Sequence, residues 1–347
     1  MRTALSRRSP GEPGSTDRPG IRRRVGLITT AAVVALTALA GCGSDTGDSD
    51  TAGADKTRSV THDAGTTDNV PAKPKRIVSL SVTLTGHLLA LDAPVVATQV
   101  APGPFSDKTG YFLQWADIAK QRNVEVVYAG AEPNLEKVVG AKPDLIIGAA
   151  SGADSTAKFY DQLKGIAPTL IYRYDNISWQ DLTSKLGDAI GLADKAKEIL
   201  GKFDTRVTEV KGKIKAPTQD VAPLRNNGTQ IVIFTKESAQ GKLLAALGLK
   251  VHEVPENFKA SGGPEGGNRT DVVTIAQENL GPALADSSVF FVGHNQEQID
   301  TAKAAPLWKS LPAVTQNRAY DLGLDSFRMD YFSATAVLER VEKAFAV

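Results

Sequence analysis

Cysteine and histidine are scarce in this chain, and the chemistry they support is scarce with them. Its 347 residues include one Cys, four His and only 6% aromatics. A single thiol cannot form a disulfide within the chain, so no disulfide framework holds the fold. His62, His87, His252 and His294 show neither His-x3-His nor His-Glu-x-x-His spacing, which leaves no zinc motif and no metal site to expect. The Gly-x-Ser-x-Gly elbow, the Walker-type Gly-rich loop and the Gly-x-Gly-x-x-Gly turn are missing too. The longest apolar run, Val25 to Ala40, is too short and too rich in Ala and Thr for a convincing spanning helix.

What is present begins at the amino terminus. Arg7, Arg8, Arg18, Arg22, Arg23 and Arg24 precede that apolar run, which leads into Leu39-Ala40-Gly41-Cys42. A basic region, a short apolar region and small residues before a cleavage point make residues 1–41 a secretory signal. Leu-Ala-Gly-Cys is similar to a bacterial lipobox, whose Cys is acylated and becomes the mature amino terminus. Cys42 is therefore the candidate lipidation site, anchoring the chain to the outer face of the cell membrane. Arg23-Arg24 hints at twin-arginine export, but Val25-Gly26 fits that pattern badly, and the export route stays open.

Removing the signal changes the charge. Residues 1–41 carry seven of the 40 basic and two of the 39 acidic side chains, so the remainder has 33 and 37, a net charge of −4 instead of +1. A mildly acidic surface is a poor field for nucleic acid. Residues 42–73, largely Gly, Ser, Thr, Asp and Ala, bury too little apolar surface to order themselves, so they read as a flexible tether.

The body is organised around a helix expected from about Asp194 to Lys215. Ala196, Ile199, Leu200, Phe203, Val207, Val210 and Ile214 recur every three or four residues, the stripe of an amphipathic helix about 33 Å long. On either side, strand and helix signals alternate. Strands are expected at residues 76–80, 94–97, 124–127, 144–148 and 169–172, with helices near Leu84–Leu91, Tyr111–Trp115 and Leu135–Val139. The second run has strands at 231–234, 250–254 and 289–293, helices at 243–247 and Val273–Leu280, and a terminal helix through Ala334 to Phe345. Alternation of this kind argues for mostly parallel sheets covered on both faces. The helix stripe alone fits one domain with a long crossover as well as two lobes. An echo favours two: Leu135-Glu136-Lys137-Val138 before the 144–148 strand parallels Gln277-Glu278-Asn279-Leu280 before the 289–293 strand. The boundaries expected are a lobe over 74–192, an interlobe helix over 193–216 and a second lobe over 217–347. A secreted, two-lobed α/β body without a catalytic signature suggests a binding protein with its ligand between the lobes.

Several stretches carry a resemblance. Pro74 to Gly86, Leu89-Ala90-Leu91-Asp92-Ala93-Pro94-Val95, Tyr160-Asp161-Gln162-Leu163, Ile166 to Ile171 and Ser178-Trp179-Gln180 lie in the first half. Glu237-Ser238-Ala239-Gln240-Gly241, Glu278-Asn279-Leu280 and Phe327 to Ala334 lie in the second. In order, and over nearly the whole body, these resemble the ferric-enterobactin-binding family of siderophore ABC importers. The resemblance implies a class III periplasmic-binding-protein fold, α/β with two Rossmann-like lobes on one rigid interlobe helix. It implies a non-catalytic role: a monomer without a cofactor of its own that delivers a ferric siderophore to a permease driven by a cytoplasmic ATPase. A single rigid helix between the lobes restricts hinge closure, so little lobe movement on binding is expected.

The resemblance further implies residue roles. Arg328 matches a basic residue facing the ferric catecholate; read from the residues alone, it serves equally as a helix-start Arg paired with Asp330 or Asp325. Phe234 stands where the family has a cleft Trp, and is otherwise a strand-end core residue. The family's second cleft Arg, near Pro104, has no counterpart, leaving Lys108 or Lys236 to supply the charge. Tyr174 and Trp179 are further ligand-binding candidates, Trp179 being alternatively core. Glu136 and Glu278 match the paired glutamates that dock on permease arginines, and are otherwise solvated helix residues. The departures keep open another bulky chelate: a hydroxamate siderophore, haem or cobalamin. An extracytoplasmic hydrolase or zinc chaperone would need a nucleophile or His cluster that the sequence lacks.

Overall fold

The computed structural model describes residues 56–260 and 269–347. The signal, Cys42, the first part of the expected tether and residues 261–268 lie outside the described residues. The tether expected to run to residue 73 gives way to an antiparallel hairpin, β1 (Thr57–His62) and β2 (Gly65–Pro71). Its composition is polar, but three of its residues turn inward: His62, Thr67 and Val70 are buried. Thr67 donates its hydroxyl to the Thr169 carbonyl at 2.7 Å, and Asp63 N–H donates to the Ile171 carbonyl at 2.9 Å. Hydrogen bonding to the body, more than apolar area, orders this segment.

The first lobe follows as β3 (Ile77–Ser79), α1 (Val82–Ala90), β4 (Val95–Val100), α2 (Ala116–Gln121), β5 (Glu125–Ala129), α3 (Leu135–Gly140), β6 (Leu145–Ala149), α4 (Tyr160–Lys164) and β7 (Thr169–Tyr172). The sheet order is β5-β4-β3-β6-β7, parallel throughout. Every residue of β3 and β6 is buried, as continuous apolar runs in a doubly covered parallel sheet require. The hairpin shields β7, an edge strand. The helix expected at Tyr111–Trp115 begins only at Ala116. Asp107 explains the delay, since its carboxylate accepts the amides of Thr109, Gly110 and Tyr111 and holds the chain in a turn.

Next come α5 (Trp179–Ala189) and α6 (Ala193–Lys213), the expected long helix. Gly191 separates them at φ +76°, and a Cβ there would overlap the Ala72 carbonyl, so only glycine fits. The α6 stripe is divided along its length. Ala196 and Ile199 belong to the first lobe's core with Leu186 and Ile190. Phe203 and Val210 belong to the second lobe's core with Val221, Phe290 and Val337. Leu200 packs against both.

The second lobe comprises β8 (Val221–Asn226), β9 (Gln230–Phe234), α7 (Ala239–Ala246), β10 (Val272–Ala276), α8 (Leu280–Leu284), β11 (Ser288–Phe291), α9 (Gln296–Ala304), α10 (Pro306–Lys309), α11 (Pro312–Thr315), β12 (Ala319–Asp321) and α12 (Tyr331–Phe345). Its order is β10-β9-β8-β11-β12, with β8, β11 and β12 parallel and β9 antiparallel to both of its neighbours, β8 and β10. The first half of the helix expected over Val273–Leu280 is β10, followed by a short 3-10 turn over Gln277–Asn279. The strand expected at 250–254 makes a single bridge, Val251 to Val221.

Candidate ligand-binding cleft

In the first sheet the chain runs outward from β3 to β5 and then returns to β6, so β3 and β6 flank a switch point. Open α/β sheets bind ligands at the carboxyl ends of strands beside such a point. Thr83 and Ser81 follow β3, Asp154 follows β6 and Tyr174 follows β7. The Asp154 carboxylate is buried; it accepts from the Ser81 hydroxyl at 2.6 Å and the Tyr174 hydroxyl at 2.5 Å. Burial and this neighbouring carboxylate push the Tyr174 phenol up to about 12, keeping it a neutral donor. Gly152 makes room for that phenol, because a Cβ there would collide with it.

The second lobe brings Arg225 from the end of β8, and Phe327 and Arg328 from the loop between β12 and α12. Arg328 donates to the Thr83 hydroxyl at 3.1 Å, bridging the lobes. Its guanidinium carbon lies 5.7 Å from the Phe112 ring centre and 5.8 Å from that of Tyr174. Neither carboxylate offered to it by sequence is available. Asp325 pairs with Arg340 at 2.7 Å, and Asp330 caps α12 by accepting the Ser333 amide at 2.9 Å. Arg225 lies 4.7 Å from the ring centre of Phe105 and 4.6 Å from that of Phe327, and burial lowers its pKa from the usual arginine value. Among the described residues, no acidic side chain forms an ion pair with Arg225 or Arg328.

Of the residues singled out by sequence, Arg328 and Tyr174 therefore meet, and Phe234 joins them at one remove. Phe234 is buried in the second core, with its ring edge-on to Phe327 at 6.5 Å. Trp179 is also buried, edge-to-face on Phe203 of α6 at 5.0 Å, within the second lobe's core. Lys236 is exposed and paired with Glu253 at 2.6 Å, so its charge is already engaged. Lys108 is exposed on the turn organised by Asp107. Arg225, which the sequence reading did not single out, is the second cation that the structure places beside these rings. Glu136 and Glu278 lie away from this cluster, exposed in the first turns of α3 and of the 3-10 turn before α8.

The histidines have local partners. His62, placed by sequence in the tether, is buried against Thr67 and Tyr160. His87 bonds Thr183 at 2.7 Å, His252 the Ala283 carbonyl at 2.8 Å and His294 the Val292 carbonyl at 2.9 Å. Among the described residues, no three His, Cys, Asp or Glu side chains converge to hold a metal.

Arg225 against two rings, and Arg328 against rings and the Thr83 hydroxyl, place two guanidiniums without carboxylate partners where the two α/β lobes meet, the architecture of a two-lobed binding protein. The chain belongs to the periplasmic binding protein family, whose match spans residues 77–325. It is 40% identical to the ferric enterobactin-binding periplasmic protein FepB of Escherichia coli, over 84% of this chain and 92% of that one. It is 28% identical to the iron(3+)-hydroxamate-binding protein FhuD of Bacillus subtilis, over 89% and 92% respectively. Among solved structures, holo-ViuP is 30% identical, with a TM-score of 0.72 over 84% of this chain and 95% of that one. Staphylococcus aureus SirA complexed with staphyloferrin B, 23% identical with a TM-score of 0.62 over 83% and 97%, shares the fold.

Proposed function

We propose that this chain is the extracytoplasmic substrate-binding component of an ABC importer, capturing a ferric siderophore of the catecholate class between its lobes. The observation that carries this reading is the pair Arg225 and Arg328, both free of carboxylates among the described residues and both against aromatic rings. A ferric catecholate is an aromatic anion, and guanidinium donors suit its oxygens. The likeness to FepB supports the same ligand class. Iron travels as cargo inside the chelate, so the protein supplies no iron ligands and performs no chemistry. In the same proposal Cys42 carries the lipid anchor, the protein acts as a monomer on the outer face of the cell membrane, and Glu136 and Glu278 dock on the permease. Titration by intrinsic tryptophan fluorescence tests the ligand. Ferric enterobactin should quench saturably, and ferrioxamine, haem and cobalamin should bind more weakly.

A further inference from the structure

Phe105 belongs to the first lobe and packs at the edge of its core, yet its ring also stacks on the second lobe. It lies on the turn after β4, where Leu113 N–H donates to the Phe105 carbonyl at 3.0 Å and Ser106 closes onto Gly103 at 2.8 Å. From there the ring stacks on Phe327, with centres 4.8 Å apart and planes 19° from parallel. Arg225 completes a nearly equilateral triangle with the two rings, at 4.7 and 4.6 Å. The base is Gly293, at φ +68°, where a Cβ would come within 3.1 Å of Phe105 Cε1. Arg225, Phe327 and Gly293 thus form a slot with a flat apolar wall, a cation and room for one ring.

Phe105 fills this slot incompletely in chemical terms. A phenyl gives stacking and a cation–π contact, but it offers the Arg225 N–H groups no acceptor. Among the described residues none accepts from them. An aromatic ring bearing anionic oxygens satisfies the wall and the cation together. We propose that this slot is an aryl-anion subsite and that Phe105 is its internal occupant, displaced when an aromatic ring of the ligand enters. The identity of that ligand rests on the ferric catecholate reading; the slot itself does not.

An internal occupant lowers the apparent affinity of every ligand that needs its place by the fraction of time the place is taken. Removing Phe105 should therefore tighten binding of aromatic anions, the reverse of removing a ligand contact. The test compares the parent protein with Phe105→Ala, Phe105→Leu and the double variant Phe105→Ala/Arg225→Gln. The probes are 8-anilinonaphthalene-1-sulfonate, ferric enterobactin and the non-aromatic chelate ferrioxamine, and thermal melts confirm folding. Phe105→Ala should bind the aryl sulfonate and ferric enterobactin roughly two- to tenfold more tightly, the range set by a ring stack. Phe105→Leu should show part of that gain, ferrioxamine should show none, and the double variant should lose it. Weaker ferric enterobactin binding by Phe105→Ala, an unchanged sulfonate affinity, or an equal gain for ferrioxamine overturns the proposal. If no ferric chelate binds the parent protein, the functional reading fails while the sulfonate still decides the slot.

Discussion

Arg328 and Thr83 meet across the lobes, a guanidinium from the loop before α12 donating at 3.1 Å to a hydroxyl in the first turn of α1. The bond fixes the head of Arg328 beside Tyr174 and Phe112. Arg328→Gln and Arg225→Gln should each weaken ferric catecholate binding by about 1.5–3 kcal/mol, the range for hydrogen bonds to charged groups. Fluorescence titration of folded variants checks this, and unchanged affinity in both removes the anion site from the cleft.

The lobes also meet at Gly86. A Cβ on this α1 residue would overlap Asp330 Oδ2 of the second lobe and approach Trp115 Cδ1 to 2.9 Å. Gly86→Ala should destabilise the protein by about 1–3 kcal/mol through overpacking. Chemical denaturation measures the loss, and full stability in the variant means that the seam yields without strain.

Asp330 and His87 oppose each other in pH dependence. Burial pushes the Asp330 carboxyl up to about 6 and pulls the His87 imidazole down to about 4. Asp330 takes up its proton more readily in the fold than in the unfolded chain. Its stabilising contribution is complete below the ordinary aspartate pKa and is lost as pH rises through about 6. For His87, neutral in the fold, the contribution is complete above the ordinary histidine pKa of 6.5 and is lost as pH falls through about 4. Asp330→Asn retains a helix-capping acceptor and leaves the His87 slope unopposed. Urea unfolding should then show stability rising more steeply from pH 4 to 6 than in the parent. The same slope in both proteins contradicts this.

Glu136 and Glu278 provide a prediction that separates transport from binding. Both are exposed and without an ion pair among the described residues. Glu136→Lys and Glu278→Lys should abolish iron uptake in cells while leaving siderophore affinity unchanged. Uptake that survives both reversals removes the docking role.

The first sheet was legible because its buried strands are continuous apolar runs, and the long helix because its stripe is regular. Three features were hidden for physical reasons. The β1–β2 hairpin is ordered by hydrogen bonds from a polar sequence, so composition read it as tether. The Val272–Ala276 run is short enough to fit a helix or a strand, and pairing with β9 decides it. Pro223 disguises β8 as a non-strand, although pairing with β9 begins only at Leu224. With β8 hidden, Arg225 was hidden too. Asn227-Gly228 between two apolar runs was the hairpin signal that would have exposed both. Phe105 had no sequence signal, since its stacking partner and its cation come from the other lobe.

The central claim is that the cleft binds a ferric catecholate. Titrating the mature protein with ferric enterobactin, ferrioxamine, haem and cobalamin by tryptophan quenching tests it most directly. Ferric enterobactin should quench saturably, more strongly than the other three, and its quenching should weaken in both Arg225→Gln and Arg328→Gln. Preference for haem or cobalamin, or no saturable quenching by any ferric chelate, would contradict it.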